Sequence, residues 1–193
     1  IKILHSFNNL KSDIIDLSKE WRILIGREKN LPSDFYSTED RTKISDLELS
    51  FLSLLRKFNY SSQSGERIRI SMDKYLPVVE TKIGDDKIKQ YDIKYDSSGS
   101  DFVRAIWAYT CALKRVSDLH NTNHPRLLIL DEPQQQSASI NDFRTLLTEL
   151  SGYKNCQVLV FASFNNSDED YTNSTRGLQF SLNKIDGKIV KPQ

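Results

Sequence analysis

Residues 127–133 read Leu-Leu-Ile-Leu-Asp-Glu-Pro, and this run carries the strongest indication of the fold of the chain. Four aliphatic residues without polar alternation predict a strand buried on both faces, as in a parallel sheet. Charge begins only at Asp131 and Glu132, where such a strand would emerge at its carboxyl end. Ligands of open α/β sheets bind at that edge. The stretch therefore predicts an α/β fold with a site formed around these two carboxylates.

Adjacent carboxylates in this position suit a phosphate-hydrolysing site, and the pattern is typical of a Walker B strand. Asp131 would hold the Mg²⁺ shell, and Glu132 would polarise the attacking water. The alternative is a buried strand that ends in two solvated acids. The phosphate loop that should accompany such a site, G-x-x-x-x-G-K-[ST], is absent, because the one Gly-Lys pair, Gly187-Lys188, is followed by Ile189. The chain thus carries half a site, and a first residue of Ile1 favours a segment of a longer polypeptide.

Composition indicates one ordinary globular domain with an appended element. The chain has 193 residues, of which 38% are hydrophobic and 27% are charged, and its net charge is +1. That balance gives no global signal for nucleic acid, so any DNA contact has to come from a local patch. Cys111 and Cys156 lie in apolar surroundings, which predicts reduced core thiols and favours a cytosolic protein.

The N-terminal segment carries a heptad-like seam. Gly26, Asn30 and Pro32 predict the end of the helix that contains it. Residues 1–30 would be either the end of a coiled-coil helix or one amphipathic helix packed on a globular core, and residues 31–193 form the globular part. The apolar positions of the seam recur at spacings of three and four, at Leu4, Phe7, Leu10, Ile14, Leu17, Trp21 and Leu24.

The middle of the chain predicts a helix followed by β structure. Residues 44–58 place apolar side chains on one helical face, and β-like runs follow at 67–71, 76–80 and 88–95. Basic residues are scattered through this region and form either a DNA-binding patch or ordinary solvated faces. They are Arg67, Arg69, Lys82, Lys87, Lys89 and Lys94.

A small polar loop at 96–101, Asp-Ser-Ser-Gly-Ser-Asp, precedes a strongly periodic helix. Ser98 and Asp101 form an S-x-x-D capping pattern. A helix amino terminus presents unpaired N–H groups and a positive dipole end, and Gly99 would let the backbone approach a phosphate closely. The loop is therefore either an anion site or only an N-cap and a turn.

The C-terminal third predicts a β-α-β unit. A helix at 141–150 and a second apolar run at 157–162 follow the strand at 127–130, an order that implies a parallel crossover. Residues 165–176 are interpreted as a polar loop. An Asp-Gly turn at 186–187, between alternating runs, predicts a closing hairpin over 178–190.

The order of these motifs resembles the C-terminal lobe of an ABC-type ATPase head, which is P-loop NTPase-like with a mostly parallel sheet flanked by helices. The resemblance rests on a Ser-Gly-Ser loop at a helix amino terminus, followed by a strand that ends in Asp-Glu-Pro, a helix and a second strand. Within that superfamily the chain is similar to the SMC and Rad50-like branch. There, a long coiled coil separates an N-terminal lobe with the Walker A loop from a C-terminal lobe with the signature and Walker B motifs. Residues 97–104 and 130–136 look most like bacterial members, including the SMC-like subunits of Lamassu-type defence systems.

The resemblance implies roles for five residues. Ser98, Gly99 and Ser100 would contact the γ-phosphate of ATP held by an opposing head, Asp131 would complete the Mg²⁺ shell, and Glu132 would orient or deprotonate the water. It also implies a cytoplasmic, nucleoid-associated ATPase that acts on DNA in repair, chromosome maintenance or defence. The implied partners are a Walker A lobe of the same protein, a second head in a homodimer, DNA, and a nuclease or effector subunit, with no membrane.

Departures from the family pattern predict slow or gated hydrolysis. Ser100 stands where the signature normally has a second glycine, and Ser163 stands where a switch histidine is expected. The usual D-loop aspartate is also not evident near 137–139, because Asp142 comes late. The three histidines lie elsewhere, at His5, His120 and His124.

Two other interpretations stay open. A RecF-like or OLD-like ATPase would share the head without the long coiled coil. A non-enzymatic coiled-coil interaction module would carry Asp131 and Glu132 as surface acids.

Overall fold

The computed structural model describes residues 2–30, 36–83, 87–134, 139–164 and 167–182, with side chains from residue 9 onward. It has a mixed α/β fold, as predicted, and it divides into two units, Ile1–Glu39 and Asp40–Gln193. The helices are α1 (Lys2–Lys29), α2 (Thr38–Lys57), α3 (Gly99–His120), α4 (Ile140–Ser151) and α5 (Asp168–Thr175). The strands are β1 (Ile68–Ile70), β2 (Pro77–Ile83), β3 (Lys87–Asp92), β4 (Leu127–Asp131) and β5 (Gln157–Phe161). None of the described helices is long and apolar enough to span a membrane.

The first unit contains one long helix with an exposed apolar stripe. Gly26 does not end α1, which continues to Lys29 and stops directly before Asn30. A single glycine costs a helix only about 1 kcal/mol, which a helix of this length tolerates. The described members of the predicted seam are each 56% to 66% exposed, namely Leu10, Ile14, Leu17, Trp21 and Leu24. The seam is thus open to solvent, and a coiled-coil partner for it stays a prediction.

The core of the second unit forms where α2 packs on α3. Phe58 and Trp107 meet edge to face with ring centroids 5.9 Å apart, and Phe51 meets Tyr109 in the same way at 6.1 Å. Both phenylalanines are fully buried. Cys111 of α3 is a free thiol in this core, as predicted, and burial raises its pKa to about 11. The apolar face predicted for α2 is the face that this helix buries. The face predicted for α3 is wrong, because two of its members, Ile106 and Leu113, are 49% and 40% exposed, and the helix instead buries Ala105, Ala108, Cys111 and Ala112.

The three β-like runs of the middle segment form an antiparallel sheet in the order β1-β2-β3. Ile68 pairs with Val79, and both side chains are fully buried. The described residues at the far end of the β2–β3 pair, 82–83 and 87–89, are exposed. A short 3-10 turn, Ile93–Asp96, follows β3 and precedes α3. The Ser-Gly-Ser loop therefore comes directly after the sheet and this turn.

Strand β4, which contains residues 127–131, pairs with β5 in parallel, as predicted, with Ile129 opposite Leu159 and Asp131 opposite Phe161. The prediction that it is buried on both faces is wrong within the described chain. Leu128 and Leu130 are buried, whereas the other face of the pair is open. Leu127, Ile129, Leu159 and Phe161 on that face are 37% to 59% exposed, because no described layer covers them.

The segment after β5 differs from the predicted polar loop. Residues 168–175 form α5, which begins at Ser167, whose hydroxyl accepts a hydrogen bond from the Asp170 amide. Acidic residues in the first turn favour such a start, and the Ser-x-x-Asp pattern could have revealed it. Phe164 packs between Phe143 and Tyr171 and fixes α5 against α4. Residues 178–182 do not form the first strand of the predicted hairpin, and its turn and second run lie outside the described residues.

Candidate functional site

The carboxylate pair lies at the carboxyl end of β4, as the sequence predicted. Asp131 is the last residue of β4, and its side chain is exposed. Glu132 follows with φ of +43°, in the left-handed region, which costs a residue with a side chain about 1–2 kcal/mol. Its amide donates to the Phe161 carbonyl at 2.8 Å and thereby extends the strand pairing by one residue. This conformation takes Glu132 out of the extended backbone of the strand. The side chains of Asp131 and Glu132 therefore do not follow the alternation between opposite faces of the sheet that strand residues show.

Ser163 contacts the Glu132 carboxylate. The Ser163 hydroxyl donates to Glu132 Oε2 at 3.1 Å, and the Ser163 amide donates to the same oxygen at 3.4 Å. Ser163 lies two residues beyond β5, at the same edge of the sheet as Asp131. The residue that stands in place of the expected histidine is therefore brought next to the candidate base.

The Ser98-Gly99-Ser100 loop begins α3, as predicted. Ser98 and Gly99 are exposed, and the Ser98 hydroxyl accepts from the Asp101 amide at 3.2 Å. Helix geometry leaves the Gly99 and Ser100 amides without helical acceptors. The predicted capping pattern is only half formed, because the Ser98 amide donates to the Ser62 hydroxyl at 3.0 Å instead of to the Asp101 side chain.

The Asp101 carboxylate turns away from solvent and holds the preceding loop. It accepts from the amides of Ser61 and Ser62 at 3.1 and 2.7 Å, and from both of their hydroxyls. Tyr60 also meets Ser97 through their hydroxyls, 2.9 Å apart. The segment that follows α2 is thus hydrogen-bonded both to the residue before the Ser-Gly-Ser loop and to the residue after it.

Arg104 joins this loop to α4, a link that the sequence did not reveal. Its guanidinium donates to Asp101 at 2.7 Å and to Asp142 at 2.6 Å, and one of its nitrogens lies 3.3 Å from the Ser100 hydroxyl. Both carboxylates are buried. Asn59 adds a further hydrogen bond to Asp142 at 2.7 Å. Asp142, considered in the sequence only as a late D-loop aspartate, therefore belongs to the support of the Ser-Gly-Ser loop.

A second buried carboxylate ties α2, α3 and α4 together. Glu149 accepts from Lys57 at 2.6 Å, from Arg115 at 2.8 and 2.9 Å, and from the Tyr153 hydroxyl at 2.8 Å. Two cations thus surround one buried anion. This cluster holds the helices that carry the loop and is structural in character.

The pKa values of these buried carboxyls follow from their partners. Burial raises the pKa of Asp101, but hydrogen bonds from Ser62 and Arg104 outweigh it and leave the pKa below its usual value. The same balance holds for Asp142 with Asn59 and Arg104, and for Glu149 with Lys57 and Tyr153. All three are therefore ionised in the folded state wherever the unfolded chain is.

The lowered pKa values predict that the fold loses stability in acid. Because the folded pKa of each carboxyl lies below its unfolded value, the stabilisation is complete above the unfolded values, near 4, and disappears as the pH falls through the folded values. We expect the free energy of unfolding in urea to fall steadily below pH 5. Asp101→Asn should weaken that dependence, whereas Asp73→Asn, at an exposed aspartate, should not. A free energy of unfolding that is constant from pH 5 to pH 3 would contradict this prediction.

Glu132 with Ser163 forms one hydrogen-bond network, and the Ser98–Ser100 loop belongs to another. Among the hydrogen bonds of the described residues, Glu132 joins only β5 and Ser163, and Ser98–Ser100 join only Ser62, Arg104 and their own helix. No hydrogen bond of the described residues therefore links the loop to the carboxylates.

The basic residues of the middle segment are largely engaged within the chain. Arg67 donates to the Thr81 hydroxyl at 2.7 Å and to Gln63 at 3.0 Å. Arg69 lies 3.9 Å from the carboxylates of both Glu48 and Glu80. This favours solvated and paired faces over a continuous basic patch. The lysines that stay exposed are Lys82, Lys87, Lys89 and Lys94, of which Lys89 lies over the Tyr91 ring and Lys94 over the Phe102 ring.

The described residues contain no group of three or more His, Cys, Asp and Glu side chains that could hold a metal ion alone. Asp131 by itself offers one exposed carboxylate. Mg²⁺ takes an octahedral oxygen shell and is usually bound by one or two carboxylates together with phosphate oxygens and water. The donor set fits Mg²⁺ that is held mainly by a nucleotide, and it does not fit a metal site built from protein alone.

No family model matches the chain, and no curated protein matches it significantly.

Proposed function

We propose that this chain is the C-terminal lobe of an SMC and Rad50-like ATPase head, which hydrolyses ATP when a lobe with a phosphate loop and a second head join it. The observation that carries the proposal is the placement of Asp131 and Glu132 at the carboxyl end of a parallel strand pair whose outer face is apolar and exposed. The candidate phosphate site thus lies at the edge of a sheet whose apolar face is left uncovered by the described residues.

The exposed sheet face supports a second lobe. Leu127, Ile129, Leu159 and Phe161 lie side by side on one face. Burying a large apolar side chain fully contributes about 1.5–3 kcal/mol, and contiguous apolar patches of this kind mark interaction surfaces. A lobe that covered this face would bring its own loops to the edge at which Asp131 lies.

Asp131 and Glu132 would have distinct roles at that edge. The exposed Asp131 carboxylate would supply an oxygen ligand to Mg²⁺, which neutralises charge on the β- and γ-phosphates when bound with ATP. The Glu132 carboxylate would accept a hydrogen bond from the attacking water and take its proton. Both roles need carboxylates that reach solvent, and Asp131 is exposed and Glu132 half-buried.

The Ser98–Ser100 loop would bind the nucleotide of the opposing head. The Gly99 and Ser100 amides, which have no helical acceptors, stand at the positive end of the 22-residue α3, a favourable place for phosphate oxygens. Arg104 donates to the Ser100 hydroxyl and offsets part of the negative charge of Asp101 and Asp142. No hydrogen bond of the described residues joins this loop to Glu132, which agrees with a site that a dimer completes.

DNA, a homodimeric second head and a nuclease or effector subunit remain the proposed partners, in repair, chromosome maintenance or defence. For DNA, the exposed lysines of the β2–β3 pair are the remaining candidates, since Arg67 and Arg69 are engaged within the chain. Salt-dependent DNA binding that is unaffected by charge reversal at Lys82, Lys87 and Lys89 would exclude this surface.

A second candidate function is a non-enzymatic coiled-coil interaction module. The open apolar stripe of α1 favours it, because the five described members of the seam are exposed. In that case Asp131 and Glu132 would be surface acids, and nucleotide would have no effect on the state of assembly.

The two functions are separated by measuring Mg²⁺-dependent ATP hydrolysis. The protein encoded by the complete gene, or this chain mixed with a candidate phosphate-loop lobe, is expected to hydrolyse ATP, and Asp131→Asn is expected to lower the rate about 100-fold or more. Asp73→Asn, at an exposed aspartate remote in sequence from the site, is the matched control. Hydrolysis that is absent, or that is insensitive to Asp131→Asn, would overturn the proposed function.

A further inference from the structure

We propose that Ser163 is a positioning residue for Glu132, an inference that rests on the proposed function. Ser163 holds one oxygen of the Glu132 carboxylate through its hydroxyl and its amide, and it leaves the other oxygen to the attacking water. Ser163 thus acts by binding the Glu132 carboxylate and not by binding the γ-phosphate.

Contacts from β5 place Glu132 in both its backbone and its side chain. The Phe161 carbonyl accepts from the Glu132 amide at 2.8 Å, while Ser163, two residues later, donates twice to Glu132 Oε2. Both anchors come from one short segment at the end of the parallel pair. The orientation of the carboxylate is therefore tied to the end of β5 and not left to a free side chain.

The anchored carboxylate belongs to a residue whose backbone is left-handed, with φ of +43°. Residues with side chains keep such a conformation only where the surroundings enforce it, and such positions concentrate at functional sites. The same conformation occurs at Asn59, Tyr75, Asn121 and Arg126. At Glu132 it is accompanied by two donors from Ser163 on one carboxylate oxygen, and these contacts carry the inference.

The two carboxylate oxygens are unequal as a result. Oε2 is engaged by Ser163, whereas Oε1 takes part in no hydrogen bond among the described residues. A carboxylate pinned through one oxygen keeps the other in a fixed direction, and preorganisation of that kind acts on the rate of the chemical step more than on binding.

The test uses the ATP-hydrolysing assembly of the proposed function. Ser163→Ala is expected to lower kcat about tenfold with KM unchanged, which is the order expected for loss of one hydrogen bond to a charged group. Ser163→Thr, which keeps the hydroxyl, should restore most of the rate. Ser181→Ala, at an exposed serine, is the matched control. Thermal unfolding of each variant checks that it is folded.

A double-mutant cycle with Glu132→Gln identifies the target of Ser163. If Ser163 acts through Glu132, adding Ser163→Ala to Glu132→Gln should slow hydrolysis no further. An additive loss, a raised KM or an unchanged kcat in Ser163→Ala would overturn the inference while the proposed function stands. A wild-type assembly without ATPase activity would overturn the proposed function and this inference with it.

The contact itself is tested without turnover in the 193-residue chain. In the amide NMR spectrum, Glu132→Ala should move the Ser163 amide proton upfield, because its hydrogen bond to the carboxylate is lost. Glu169→Ala, at an exposed acid in the first turn of α5, should leave it in place. A Ser163 resonance that does not respond to Glu132→Ala would overturn the inference whatever the ATPase result.

Discussion

Glu132→Gln is expected to lower the ATP turnover of the assembled head about 10²–10⁴-fold, the usual contribution of a general base. Glutamine keeps the size and one oxygen of the side chain but cannot take a proton from water. ATP binding should survive, because the proposed phosphate contacts come from the other lobe and from Ser98–Ser100 of the opposing head. The variant should therefore accumulate as an ATP-bound dimer, measured by size-exclusion chromatography with Mg²⁺ and ATP.

The matched control for this change is Glu169→Gln, which removes the same charge from an exposed position on α5. It should hydrolyse ATP at the wild-type rate and return to the monomeric head when ATP is consumed. Normal turnover in Glu132→Gln would show that the carboxylate is not the base and would leave it a surface acid.

Arg104→Ala is expected to reduce the free energy of unfolding by about 3–5 kcal/mol, the usual cost of removing one partner from a buried ion pair. The change leaves Asp101 and Asp142 buried without their shared cation. Their remaining hydrogen bonds, from Ser61, Ser62 and Asn59, hold the two carboxylates in place and so keep them from reaching water. Urea unfolding at pH 7 measures the loss.

Two further variants show whether the loss comes from the bridge itself. Arg104→Lys keeps the charge but cannot bind two carboxylates with one planar group, so it should recover only part of the stability. Arg56→Ala, at an exposed arginine of α2, should change the free energy of unfolding by no more than about 0.5 kcal/mol. An Arg104→Ala variant as stable as Arg56→Ala would mean that the bridge does not support the fold.

Local patterns were sufficient to predict most elements. The apolar periods of α2, α3 and α4 and the apolar runs of β4 and β5 correspond to the helices and strands observed. The misjudged elements had weak or competing local signals. Gly26 suggests a helix end but lies within α1, and the polar run after Ser167 conceals α5, whose stability comes from Phe164 packing between α4 and α5.

The candidate site was predictable only in part. Asp131 and Glu132 could be placed from the sequence because a strand must deliver its last residues to the edge of its sheet. Ser163, Arg104 and Asp142 could not be assigned partners in the same way. Glu132 and Ser163 are 31 residues apart, and Arg104 and Asp142 are 38 apart. Contacts over such distances depend on how β5 and α4 pack, which no spacing rule describes.

Two carboxylates at a strand end, a Ser-Gly-Ser loop at a helix start and the missing phosphate loop could all be read from the sequence. These are local features, set by hydrophobic period and by capping. The open face of the β4–β5 pair, the contact of Ser163 with Glu132 and the link from Arg104 to α4 became evident only in the folded chain. An apolar run indicates only that a strand is to be covered, whereas tertiary packing determines which of its faces are covered and which polar groups meet.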